Sequence, residues 1–133
     1  MIAALALALA AAVPPMMIVD EATVTREEPP PHGNIGMSTA YRISDAVPNR
    51  TMEFRKRMLH AGAAIGEHRI DHDEIYYVLA GEGEVVSDGA RAKLTPGTAA
   101  YLYSGARVGI RQIGHEPLTL IIAYPLPRPS AQR

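Results

Sequence analysis

The sequence predicts an all-β domain built as a single jelly roll or closed barrel. Three observations predict it. From Met37 onward, short runs of aliphatic, aromatic and β-branched residues alternate with turn signals. No long amphipathic helical pattern competes in that region. The pair Asp88-Gly89 sits between two such runs and is a hairpin signal. A set of short strands of this kind protects its edges by doubling into two sheets or by closing.

The 133 residues suit one domain. Met1-Ile2 and the Ala/Leu repeats up to Val13 form an apolar run the length of a signal-peptide core, with Ala10 and Ala12 as an A-x-A site. Residues 1–19 carry no charge, but Pro14-Pro15 interrupts a spanning helix, which needs about 20 apolar residues. The expectation is a signal peptide, a periplasmic or secreted protein, and no stable membrane insertion after processing. A membrane-anchored or cytoplasmic protein is the alternative. Residues 20–36 hold four acids and Pro29-Pro30-Pro31, and are expected to form a linker or arm with little regular structure.

The folded domain is expected over residues 37–125. Strands are expected at Ser38–Ile43, Met52–Leu59, Glu74–Leu79, Glu84–Ser87, Ala92–Thr95, Thr98–Tyr103, Val108–Ile113 and Leu118–Tyr124, where residues that fit a pleated surface concentrate. Gly, Pro, Asn and Asp separate them: Val47-Pro48-Asn49, Ala61-Gly62, Gly81-Glu82-Gly83, Asp88-Gly89, Pro96-Gly97, Ser104-Gly105 and residues 114–117. The runs Glu74–Leu79 and Leu118–Ala123 are apolar on both faces. One face fills the interior and the other needs a cover, so a homodimer is expected. The Pro-rich tail 126–133 cannot continue a strand.

Composition excludes several classes. Net charge is −1 and neither sign clusters, which argues against nucleic acid or an anionic membrane as the main partner. There is no Cys, hence no disulfide, thiol nucleophile or thiolate metal site. One Phe and no Trp leave most of the core to aliphatic residues.

The chemistry concentrates between Gly62 and Gly83. His68, Ile70, His72 and Glu74 share one parity and would share one face of an extended strand. Imidazoles converging with a carboxylate suit a metal site or an acid–base pair. The order Gly62, five residues, His68, Arg69, Ile70, three residues, Glu74, six residues, Gly81 resembles the first motif of the cupins, G-x5-H-x-H-x3,4-E-x6-G. Their second motif, G-x5-P-x-G-x2-H-x3-N, lies over residues 97–112. There Gly97 and Gly105 match, while Tyr103, Val108 and Gln112 replace the Pro, His and Asn. The resemblance covers about residues 50–124 and implies a double-stranded β-helix, the cupin barrel, with a site inside it. It also implies four metal ligands, of which His68 and Glu74 remain while Ile70 and Val108 cannot bind metal.

His68 and Glu74 are therefore the catalytic candidates, as a metal-free acid–base pair. Tyr76, Tyr103, Gln112 and Arg107 are the ligand-binding candidates. No cofactor is expected. The alternative is a divalent ion (Fe, Mn, Zn or Ni) held by His68, His72 and Glu74, which requires His72 to reach inward rather than lie in a loop beside Asp71 and Asp73. Arg55 and Arg57 are read as solvated, and His32 and His115 as ordinary loop residues. The functional expectation is a small-molecule-binding barrel for a sugar, an organic acid or a similar metabolite, with acid–base catalysis as a further step. The alternatives are a metal-dependent isomerase, epimerase or oxygenase, and a non-catalytic structural or dimerisation barrel. Nothing reads as a phosphate loop or a serine triad.

Overall fold

The computed structural model describes residues 3–4 and 13–127. Most of the expected signal segment, including its Ala10-x-Ala12 site, and the end of the tail lie outside the described residues.

Ten strands follow one another: β1 (Thr25–Glu28), β2 (Ser38–Tyr41), β3 (Met52–Leu59), β4 (Ala64–Arg69), β5 (Glu74–Ala80), β6 (Glu82–Ser87), β7 (Ala90–Leu94), β8 (Ala99–Leu102), β9 (Arg107–Ile113) and β10 (Leu118–Pro125). They form two sheets with all pairings antiparallel. The larger runs β1-β2-β3-β10-β5-β8 and the smaller β4-β9-β6-β7. Between them lies one core, to which the larger sheet gives Leu59, Tyr76, Val78, Leu118 and Leu120, and the smaller Ile65, Val85, Val108 and Ile110. The all-β double-sheet architecture expected from the sequence is the one observed.

Two strands were not expected. β1 is Thr-Arg-Glu-Glu, with no apolar residue. It forms because its backbone ladders with β2 from Thr25↔Tyr41 to Glu28↔Ser38, and because Arg42 clamps Glu28 through two hydrogen bonds of 2.9 and 2.7 Å. Part of the arm is thus a sheet edge rather than irregular chain. β4 is small and polar, Ala-Ile-Gly-Glu-His-Arg, and its strand character comes from pairing with β9, not from propensity.

Gly81 alone connects β5, in the larger sheet, to β6, in the smaller. The backbone there has φ of 74°, and an added Cβ would stand 2.2 Å from the Pro117 carbonyl oxygen; only glycine fits. The Asp88-Gly89 hairpin has φ of 46° and 82°, the left-handed pair that a type I′ turn needs. The outer face of the larger sheet leaves Phe54, Ile75, Tyr77, Leu79 and Tyr101 exposed on the single chain.

Candidate functional site

The interior face of β3 carries Glu53, Arg55, Arg57 and Leu59, because side chains alternate and Leu59 is fully buried. The two arginines, read as solvated from the sequence, point into the barrel. They line a cavity of about 150 Å³ with Ile65 and His68 from β4, Glu74 and Tyr76 from β5, Ile122 and Tyr124 from β10, and Pro31 and His32 from the arm. This is small beside the roughly 300–1,000 Å³ of most ligand sites.

His68 follows an irregularity in the β4–β9 ladder, where the register shifts between Ile65 and His68. Such bulges re-aim side chains. Its Nδ1 lies 2.8 Å from the Gly66 carbonyl oxygen. A carbonyl only accepts, so Nδ1 carries a hydrogen, and in the neutral ring Nε2 keeps its lone pair. The ring stacks on His32, with centroids 3.5 Å apart and planes 5° from parallel. His32 reaches this position with φ of 65°. Gly66 makes the approach possible, since a Cβ there would sit 1.9 Å from the His32 carbonyl oxygen. Burial, and then the nearby charge of His68, lower the His32 pKa.

Glu74 is buried at 6% exposure, and its Oε2 has no hydrogen-bond partner among the described residues. Burial raises its pKa above 4.5, partly offset by His72 and His68. The folded state therefore holds this proton more tightly than the unfolded chain. The resulting stability is present below pH 4.5 and is lost as pH rises through the folded pKa. Glu74→Gln, which cannot ionise, is expected to be more stable than the parent at about pH 7, with the gain shrinking toward pH 4. Urea midpoints across that range measure it; a variant that is less stable at neutral pH would show that the carboxylate is compensated.

His72 does not join His68. Residues 71 and 72 form a bend between β4 and β5, which breaks the parity that would have aligned them. The His72 ring stacks on Tyr124 at 4.2 Å. Its Nε2 is buried without a hydrogen-bond partner, 3.9 Å from Glu74 Oε1. Among the described residues no group of three His, Cys, Asp or Glu side chains could hold a metal ion. Ile70 and Val108, at the family's other two ligand positions, are core residues at 4% and 0% exposure. The donor set present does not fit the family's four-ligand metal.

Of the ligand-binding candidates, Tyr76 lines the cavity. Tyr103 is 70% exposed, and Arg107 is exposed at the start of β9. Gln112 is buried but occupied: Oε1 accepts from Gly62 N–H at 2.9 Å, and Nε2 donates to the Ile113, Gly114 and Glu116 carbonyls. It ties two turns together. The polar lining residues that are not candidates from the sequence are His32, Arg55, Arg57 and Tyr124. The parity of Arg55 and Arg57 with Leu59 was the signal for two of them.

Residues 56–124 match the cupin domain family model. No curated protein matches the chain. Among solved structures, a predicted oxalate decarboxylase from Thermotoga maritima aligns at 23% identity and a TM-score of 0.70, covering 84% of this chain and 100% of that one. An RmlC-like cupin from Shewanella frigidimarina aligns at 22% identity and 0.62, covering 78% and 86%. KdgF from Halomonas sp. aligns at 21% and 0.58, covering 68% and 80%. The family match spans more than half of the sequence, and the two-sheet barrel agrees with it: the chain belongs to the cupin domain family.

Proposed function

We propose that this cupin binds a small metabolite in the barrel cavity and moves a proton on it without a metal. The observation that carries the reading is the 2.8 Å Nδ1–H···O=C bond from His68 to Gly66. It fixes the tautomer that leaves Nε2 basic, on a residue that lines the cavity. Glu74 lines the same cavity, and burial favours its protonated form. His68 in its neutral form can accept and the Glu74 carboxyl, where protonated, can donate, the pairing that general acid–base catalysis requires. A C–H proton of the ligand passes to His68 Nε2, and the Glu74 proton goes to the ligand oxygen that gains electron density. Ile65, Tyr76 and Ile122 give the cavity its apolar walls.

The test is hydrogen–deuterium exchange at carbon. Small 2-oxo and 2-hydroxy acids and short sugars, incubated with the protein in D₂O, should include a ligand that loses a C–H signal by NMR. His68→Gln should slow that exchange by about 10²- to 10⁴-fold. A ligand that binds the parent protein but never exchanges would leave a binding protein rather than a catalyst.

A further inference from the structure

We propose that Arg57, with Arg55 beside it, is the anion-recognition element of the barrel, and that the ligand is a small monocarboxylate. This rests on the reading of the cavity as the ligand site and names the chemical class it takes.

The charge balance around β3 is uneven. Four guanidiniums, Arg42, Arg50, Arg55 and Arg57, share three carboxylates, Glu28, Asp45 and Glu53, through contacts of 2.6–3.4 Å. One positive charge is in surplus. Among the described residues Glu74 reaches none of these guanidiniums within 4.0 Å; its one ionisable neighbour at that range is His72, which is charged only if protonated. The surplus falls on Arg57, which is 4% exposed. Its Nη1 donates to the neutral Ser38 hydroxyl at 2.8 Å, and its Nη2 reaches Glu28 only at 3.4 Å. Glu28 is already held by Arg42 at 2.7 and 2.9 Å. Burial outweighs these contacts and lowers the Arg57 pKa. Among the described residues, Arg57 Nε and Arg55 Nη1 donate to no protein acceptor. A buried guanidinium with spare donors, lining a cavity, is an incomplete ion pair.

The missing partner is small, singly charged and planar. One surplus charge calls for one negative charge, and a carboxylate matches the guanidinium fork while carrying only that one charge, where a phosphate dianion fits the fork but brings two. Ile65, Ile122 and Tyr76 provide apolar surface for a short carbon body. The arginines come from β3 in the larger sheet and His68 from β4 in the smaller. A ligand anchored by its carboxylate at one wall would hold its carbon toward the other.

Calorimetric titration of the intact protein at low ionic strength tests this. The panel is acetate, pyruvate and lactate, with inorganic phosphate, glycerol and erythritol as comparisons. The monocarboxylates should bind, more weakly as chloride rises, and the neutral polyols should not. Arg57→Gln should weaken binding by about tenfold or more, as loss of a charge-assisted contact does. Arg57→Lys should recover part of the affinity. If Arg57→Gln fails to fold by circular dichroism, Arg55→Gln, at a less deeply buried position, should still weaken binding. Tighter binding of phosphate or of a polyol, or unchanged affinity in the folded arginine variants, would overturn the inference. Carboxylate binding without proton exchange would retain it and defeat the catalytic reading; exchange on a neutral ligand would do the reverse.

Discussion

Glu53→Ala is expected to lose about 2–4 kcal/mol of stability, read as a drop in urea midpoint at constant slope. Glu53 is 2% exposed, yet it takes the Arg50 Nε at 2.7 Å and the Arg55 Nε at 2.6 Å. Removing it leaves Arg50 without a carboxylate partner and Arg55 with Asp45 alone, at 3.2 Å. Breaking a fully buried pair from one side costs about 3–5 kcal/mol. Arg50 and Arg55 keep 30% and 26% of their side-chain surface, which discounts that figure. Glu53→Gln, which keeps an acceptor but not the charge, should lie between. A loss near the 0–1 kcal/mol of surface pairs would mean that water replaces the carboxylate at no cost.

Leu118→Ala should cost about 2–5 kcal/mol. Leu118 is fully buried at the start of β10 and pairs with the equally buried Leu59. The position also offers a coupling test. A Cβ on Gly83 would come 2.6 Å from Leu118 Cδ2 and 3.2 Å from Ile110 Cδ1. Gly83→Ala alone should therefore destabilise, and should cost less once Leu118 is alanine, because the nearest atom has gone. Denaturant unfolding of both single variants and the double variant gives the interaction energy. Strict additivity would mean that the backbone, not the side chain, resists the methyl.

The eight strands that apolar runs and turn residues marked are all present; six bury side chains that the pattern displays, while β7 and β8 bury little beyond Leu94 and Leu102 and are held by pairing with β6 and β5. β1 and β4 were not legible. Their residues are polar or small, and only partners far along the chain make them strands. The site divides in the same way. His68, Glu74 and Tyr76 were found from local spacing. Arg55 and Arg57 were set aside because charge ordinarily means solvent, and their inward direction depends on Glu28, Asp45 and Glu53 being there to meet them. His32 was unreadable, since it reaches the cavity by a left-handed backbone resting on a glycine more than thirty residues away.

β10 occupies the middle of the larger sheet, between β3 and β5, yet it is the last of the described strands in sequence. Its pairing with β3 joins residue 118 to residue 59. On a ribosome, β1–β3 and β5–β8 would emerge as two pieces with open backbone edges and no strand to join them. Closure waits for the final strand and must meet the entropy of a long loop, which places the barrel among domains that fold in milliseconds to seconds rather than microseconds. During that interval the β3 and β5 edges and the apolar rows beside them are free to pair with other nascent chains. Aggregation risk in this protein is therefore a property of synthesis and refolding more than of the finished barrel, and substitutions in β10 that slow its docking should lower soluble yield even where final stability is kept.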